Sequence, residues 1–189
     1  DATLRACRRL ADQYQKPLVI HLSETKTEND DIQKARGMSP TRVLDSLGIF
    51  NGRTIAAHGV WTDDADIEIL ARRGVGVGHC PSSNMKLASG LAPVEKMLKA
   101  GVNMGLGSDG PAGSNNDFGL FEEMDLAAKL AKVTSMNPEA LPAAKVLEMA
   151  TIGGARVLGM DKEIGSIEVG KKADLILVDM GAPHAQPSY

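Results

Sequence analysis

The sequence has few aromatic residues: one Trp, two Tyr and three Phe make up 3% of its 189 residues. That scarcity argues against the base-stacking platforms of single-stranded nucleic-acid binders. Positive charge is not in excess either. Lys and Arg number 21 against 24 Asp and Glu, the net charge is −3 and the isoelectric point is near 5.8. The basic face of a nucleic-acid partner surface is therefore not expected. No apolar run approaches the ~20 residues of a membrane-spanning helix, so no membrane partner is expected. Cysteine is nearly absent: Cys7 and Cys80 cannot build a disulfide framework. They are expected as reduced thiols in a cytoplasmic protein. The chain opens Asp1-Ala2-Thr3-Leu4, with neither an initiator Met nor a secretory leader, and reads as an excerpt of a longer product.

What is present is a soluble, globular composition, 43% hydrophobic and 24% charged, long enough to bury a core. Three short segments carry the chemistry: His21-Leu22-Ser23-Glu24, Ala57-His58-Gly59-Val60-Trp61 and Gly107-Ser108-Asp109-Gly110. Each follows an apolar, strand-like run: Pro17-Leu18-Val19-Ile20, Thr54-Ile55-Ala56-Ala57 and Val102-Asn103-Met104-Gly105-Leu106. An imidazole or a carboxylate thus stands at the carboxyl end of each run, where an α/β barrel keeps its active site.

Between these runs the pattern alternates. Helical spacing is expected over residues 4–14, 39–47 with Ser39 as N-cap and Pro40 at the first position, 63–73 ended by Gly74, 93–100, 118–133, 139–150 and 151–158, the last broken near Gly153-Gly154. Residues 75–78 form a further strand. Four β-then-α units in series predict parallel strands with helical crossovers, half of an eight-stranded barrel. The expected division is a partial barrel over residues 1–160 and the start of a small β-sandwich over 161–189. Within that tail Gly165–Gly170 reads as a hairpin or turn and Ala173–Asp179 as a strand.

Imidazole nitrogen and carboxylate oxygen are ligands of catalytic zinc, and iron and manganese suit the same donors. His21 fits as a ligand, Asp109 as a ligand and proton acceptor, and Glu24 as a carrier of protons beside bound water. His58 fits either a second ion or a hydrogen bond to the attacking water. Blander roles compete: a lone His before a polar loop is usually structural, and Ser-Asp-Gly alone is usually a turn. Convergence of all three segments on successive strand ends favours function. His79 is expected to line the pocket or serve structure, and His184 to be structural. Met85, Met97, Met104 and Met124 read as core filling, Glu122, Glu123 and Asp125 as a solvated or rim face, and Trp61 as a wall of the site or a packing residue. Lys26 and Lys34 fall in a loop-like stretch.

Longer stretches extend these segments: I-H-L-S-E-T, I-A-A-H-G-V-W, H-C-P-S-S-N-M-K-L-A-S-G, G-L-G-S-D-G and I-G-S-I-E-V-G-K-K-A-D-L-I-L-V-D. With them the chain resembles the amidohydrolase superfamily, in its 5-methylthioadenosine/S-adenosylhomocysteine deaminase branch near the triazine chlorohydrolases and guanine deaminases. The resemblance implies an α/β fold, the C-terminal half of a (β/α)8 barrel plus part of a β-sandwich. It implies one divalent ion, zinc above all, with His21 and Asp109 as ligands, Glu24 as proton shuttle and His58 as the group that orients the attacking water. Glu24, Trp61, Ser83 and Asn84 would face a small-molecule substrate, with Ser83 and Asn84 in a loop. The H-x-H pair of the family's first strand does not occur here. The implied activity is hydrolytic deamination of an adenine nucleoside, by a parent expected to be a homo-oligomer. Guanine, cytosine or a triazine as substrate, and a non-catalytic half-barrel needing a partner segment, are the alternatives.

Overall fold

The computed structural model describes residues 1–182; His184 lies outside the described residues. Helix α1 (Ala2–Gln13) leads into β1 (Leu18–Leu22), followed by α2 (Lys26–Arg36) and α3 (Pro40–Ser46). Next come β2 (Thr54–His58), α4 (Asp64–Arg73), β3 (Gly76–His79), α5 (Pro81–Lys86), α6 (Val94–Lys99) and β4 (Asn103–Leu106). The chain then runs through α7 (Leu120–Ser135), α8 (Ala143–Glu148), a π-turn at Met149–Gly153 and α9 (Gly154–Leu158). The four strands form one sheet in the order β1-β2-β3-β4, every pair parallel. This is the expected α/β series. In register Leu22 pairs with His58, and His79 with Leu106, so the carboxyl ends lie side by side.

Local chemistry sets the helix limits. Ser39 caps α3 by accepting the Arg42 N–H, with Pro40 inside the first turn. Asp63 and Asp66 form a reciprocal capping box on α4, and Gly74 ends it at φ +65°. Such caps contribute about 1 kcal/mol each. Leu22, Ala56, Val77 and Met104 send one apolar row from the sheet into a core closed by Leu44, Phe50, Ile67, Leu70, Met97, Ala127, Ala131, Val146 and Met149. Full burial of each large apolar side chain contributes roughly 1.5–3 kcal/mol.

The structure departs from the sequence expectations in four places. Residues 26–36 are a helix, not a loop: its face is too polar to show a stripe, and the signals that mark it are Thr25 as N-cap and Gly37 at φ +72°. Ser83 and Asn84 stand on α5 rather than in a loop. Met97 and Met104 are buried, whereas Met85 is 39% exposed. Ala173–Asp179 forms no strand; no other described segment pairs with it, and a lone extended segment leaves its backbone groups to solvent, while Gly165–Gly170 takes the turn among its two expected forms.

The helix break expected near Gly153-Gly154 is instead a π-turn, with both glycines in right-handed helical conformation. Their role is closeness. A Cβ on Gly153 would lie 2.7 Å from the Met104 carbonyl oxygen, and one on Gly105 would lie 2.9 Å from the Gly154 Cα. The π-turn and α9 therefore rest directly on β4. Gly105→Ala is expected to destabilise the protein by about 1–3 kcal/mol through overpacking. A urea midpoint equal to that of the parent would contradict this close contact.

Candidate active site

The ends of β1, β2 and β4 make similar turns. Ser23, His58 and Asp109 have φ of +50°, +73° and +61°, three of the seven non-glycine residues with positive φ among the described residues. Left-handed backbone is unfavourable for L-residues and persists where surroundings hold it, most often at functional sites. Here it redirects each chain so that His21, Glu24, His58 and Asp109 converge. His21 and His58 stack with ring centroids 5.2 Å apart and planes at 21°. His58 Nε2 lies 3.8 Å from Glu24 Oε2 and 4.0 Å from Asp109 Oδ2. One donor atom each from His21, His58 and Asp109 falls within 4.8 Å of the others.

His58 is fully buried, and its Nδ1 is 2.9 Å from Asn84 Oδ1. With that oxygen as acceptor, Nδ1 carries the hydrogen and Nε2 presents a lone pair. Among the described residues Nε2 has no hydrogen-bond partner. A buried imidazole held at one nitrogen and free at the other is the arrangement of a metal ligand or a proton acceptor. Ser83 Oγ donates to Asp109 Oδ2 at 2.8 Å. Burial pushes the Asp109 carboxyl up, but hydrogen bonds from Ser83, Ser114 and the Gly110 N–H, with attraction to His58, outweigh it and hold the group below the usual carboxylate range. Asp109 is thus kept as an anion, the form that binds a cation.

These donors fit a divalent ion. Imidazole nitrogen and carboxylate oxygen are the donor types zinc takes, and one such atom each from His21, His58 and Asp109 is already within 4.8 Å of the others. The orphaned His58 nitrogen is the buried polar atom such a site would satisfy.

Ser83 and Asn84 are buried, and their side chains reach Asp109 and His58. Trp61 is 40% exposed, and its indole N–H donates to the Ser89 carbonyl at 2.7 Å. A cleft of about 530 Å³ runs beside His21, between β1, α2 and α3. A second cavity of about 280 Å³ lies between α6 and α7; it touches Asn84 and His79 but none of the four converging side chains.

Glu123 is not on a solvated face. It is 1% exposed, accepting from the Ser82 N–H at 3.1 Å and from Asn115 Nδ2 at 2.7 Å. It ties the segment carrying Ser83 to the loop following Asp109. A sequence signal for this existed: Glu123, Ala127 and Ala131 share one helical stripe, and all three are buried.

A profile of the amidohydrolase family matches residues 1–189. The chain belongs to the amidohydrolase family. It is 55% identical over 172 residues to a 5-methylthioadenosine/S-adenosylhomocysteine deaminase of Desulforudis audaxviator, a match covering 91% of this chain and 40% of that protein. Its structure is similar to that of an adenosine deaminase from Xanthomonas campestris with bound zinc: TM-score 0.94, 47% identity, 98% of this chain and 42% of the other. A triazine hydrolase variant matches at TM-score 0.83 and 32% identity, over 90% of this chain and 37% of its own. The amidohydrolase chain thus spans about 40% of the curated relative it matches.

Two buried neighbours of the site carry strongly shifted groups. Burial, then the carboxylates of Asp109, Glu123 and Glu24, pushes the Cys80 thiol up to about 12, so no thiolate forms near neutral pH. Burial, then the like charge of His58, brings His79 down to about 4. Neither of its nitrogens has a partner among the described residues. A folded-state value below that of the unfolded chain gives stability that is full above about pH 6.5 and lost as pH falls toward about 4. His79→Phe is expected to flatten this acid loss, about 3 kcal/mol in the parent. Equal slopes of unfolding free energy against pH in the two proteins would refute it.

Proposed function

We propose that this chain is the metal-ligating C-terminal portion of a hydrolytic deaminase acting on an adenine nucleoside of the 5-methylthioadenosine or S-adenosylhomocysteine type. The observation that carries the reading is the convergence of His21, Glu24, His58 and Asp109 at left-handed strand ends. The likeness to a deaminase relative and to a zinc-bound adenosine deaminase structure supports it. A bound divalent ion, zinc in the first place, supplies a lowered water pKa and stabilisation of the charge that develops on attack.

The residues divide the remaining work. His21 and Asp109 hold the ion, one per site. His58 orients the attacking water through Nε2. Glu24 takes one proton of the water and gives it to the ring nitrogen, and Asp109 takes the other and returns it to the departing amine. Oxygen from water replaces the amino group on the ring carbon, and ammonia leaves. Glu24 and Trp61 face the substrate, while Ser83 and Asn84 act through Asp109 and His58. The few donors gathered here leave the ion open, and the remaining ligands belong to the part of the deaminase outside this stretch. Residues 161–182 are proposed to lead toward a separate β-rich unit. Cytoplasmic location is proposed on the two unpaired thiols, and a homo-oligomer on the exposed Phe118 and Phe121.

Zinc analysis tests the ligand assignment in the longer protein. One ion per site is expected, lost in His21→Ala and Asp109→Ala and kept in His58→Ala with slower turnover. Two ions in the parent, or loss of the single ion in His58→Ala, would overturn it. Glu24→Gln is expected to lower ammonia release from 5-methylthioadenosine by about 10²–10⁴-fold with zinc retained, as for loss of a general acid–base group. A near-normal rate would exclude Glu24 as the proton carrier, and turnover of guanine or a triazine in place of the nucleoside would replace the substrate while keeping the chemistry. The 189-residue chain by itself is expected to be inactive and metal-poor; full zinc occupancy with turnover would show that it needs no further ligands.

A further inference from the structure

We propose that Glu28 is the positioning residue of Glu24, an inference that rests on the deaminase reading above. Strand β1 ends at Leu22, and the next residue, Ser23, is fully buried at φ +50°. Such a conformation relaxes to extended backbone unless both flanking peptide groups are held. The Ser23 carbonyl accepts the Trp61 N–H at 2.9 Å. The donor side is held by one carboxylate: Glu28 Oε1 accepts the Ser23 N–H at 3.1 Å and Oε2 accepts the Glu24 N–H at 2.8 Å.

This is a displaced capping box. Thr25 caps α2 by accepting the Glu28 N–H at 3.1 Å, the usual first half of the motif. In the usual second half the acidic side chain reaches back to the N-cap's own N–H. Here it reaches further, and each oxygen takes one of the two preceding N–H groups. Charge-assisted bonds of this kind are shorter and stronger than neutral ones, and the start of α2 favours an anion. Asn29 completes the tie, its Nδ2 donating to the Thr25 carbonyl at 3.2 Å. The consequence falls on Glu24. With Ser23 locked left-handed, the Glu24 carboxylate is brought to 3.8 Å from His58 Nε2; with Ser23 extended, the chain beyond it would leave in another direction. Glu28 touches no reacting atom in this account and acts only through the backbone of Glu24.

The test uses the longer zinc-loaded protein with 5-methylthioadenosine as the probe. Glu28→Gln keeps the shape but sets an amide N–H against one of the two donors. It is expected to lower kcat by about 10–100-fold, the effect of a displacement near 1 Å, with KM and zinc content little changed and faster hydrogen exchange at the Ser23 and Glu24 amides. In a Glu24→Gln background the same change should cost no further rate, because residues acting as a unit are not additive. Thr25→Ala, which weakens the helix cap but spares the carboxylate, should leave kcat within about threefold, an effect the size of one lost cap. If Glu28→Gln does not accumulate, Glu28→Asp, too short to span both N–H groups, is read the same way. Unchanged kcat in the Glu28 variant, an additive loss in the double variant, or an equal loss in Thr25→Ala would each overturn the proposal. Those outcomes are separate from failure of the deaminase reading, which a fully active Glu24→Gln protein would signal.

Discussion

The site depends on a backbone constraint: L-residues held with positive φ where strands end. A strand that continued in extended conformation would carry its next side chains to alternate faces of the sheet. The left-handed turns at Ser23, His58 and Asp109 break that alternation and aim residues from three strands at one point. Each turn needs an outside hold. Glu28 grips the amides at Ser23 and Glu24, Asn84 meets the His58 ring, and Ser83 bonds Asp109. Two of these holds come from α5, a helix of only six residues. Its value is placement, since it starts directly beyond β3 and sits between the ends of β2 and β4.

Charge follows the same layout. Burial first, and then the carboxylates of Asp109, Glu123 and Glu24, raise the Cys80 thiol. Among the described residues Glu123 forms no ion pair and is satisfied by two N–H donors. Asp109 has hydroxyl and amide donors on one side and faces His58 on the other. A site that sets surplus negative charge beside two imidazoles suits a divalent cation.

Much of this was legible in the sequence, and the failures have a common cause. Strand ends were readable because apolar runs stop abruptly at His21, His58 and Asp109. Helices with an apolar stripe, such as α4 with Ile67 and Leu70, were readable for the same reason. Helix α2 was not, because no residue of it is fully buried and only its caps mark it. Glu123 was misassigned by chemical type: an acidic residue reads as solvent-facing until its partners, the Ser82 N–H and the Asn115 amide, are known. Those partners lie 41 and 8 residues away, a separation periodicity cannot bridge. Asn84 was recognised as part of the site, but its contact with the His58 ring was not readable, since a motif says which residues gather and not which atoms they touch.

The seam between β4 and the π-turn sets a different kind of limit. Where side chains meet, a bulkier residue on one surface can be answered by a smaller one on the other. At Gly105 the opposing atom is the Gly154 Cα, and at Gly153 it is the Met104 carbonyl oxygen. Main chain cannot be trimmed, so no second substitution restores the fit. Sequence drift in this protein must therefore go around these glycines, and the last helix keeps its distance from the sheet however the rest of the core is rebuilt.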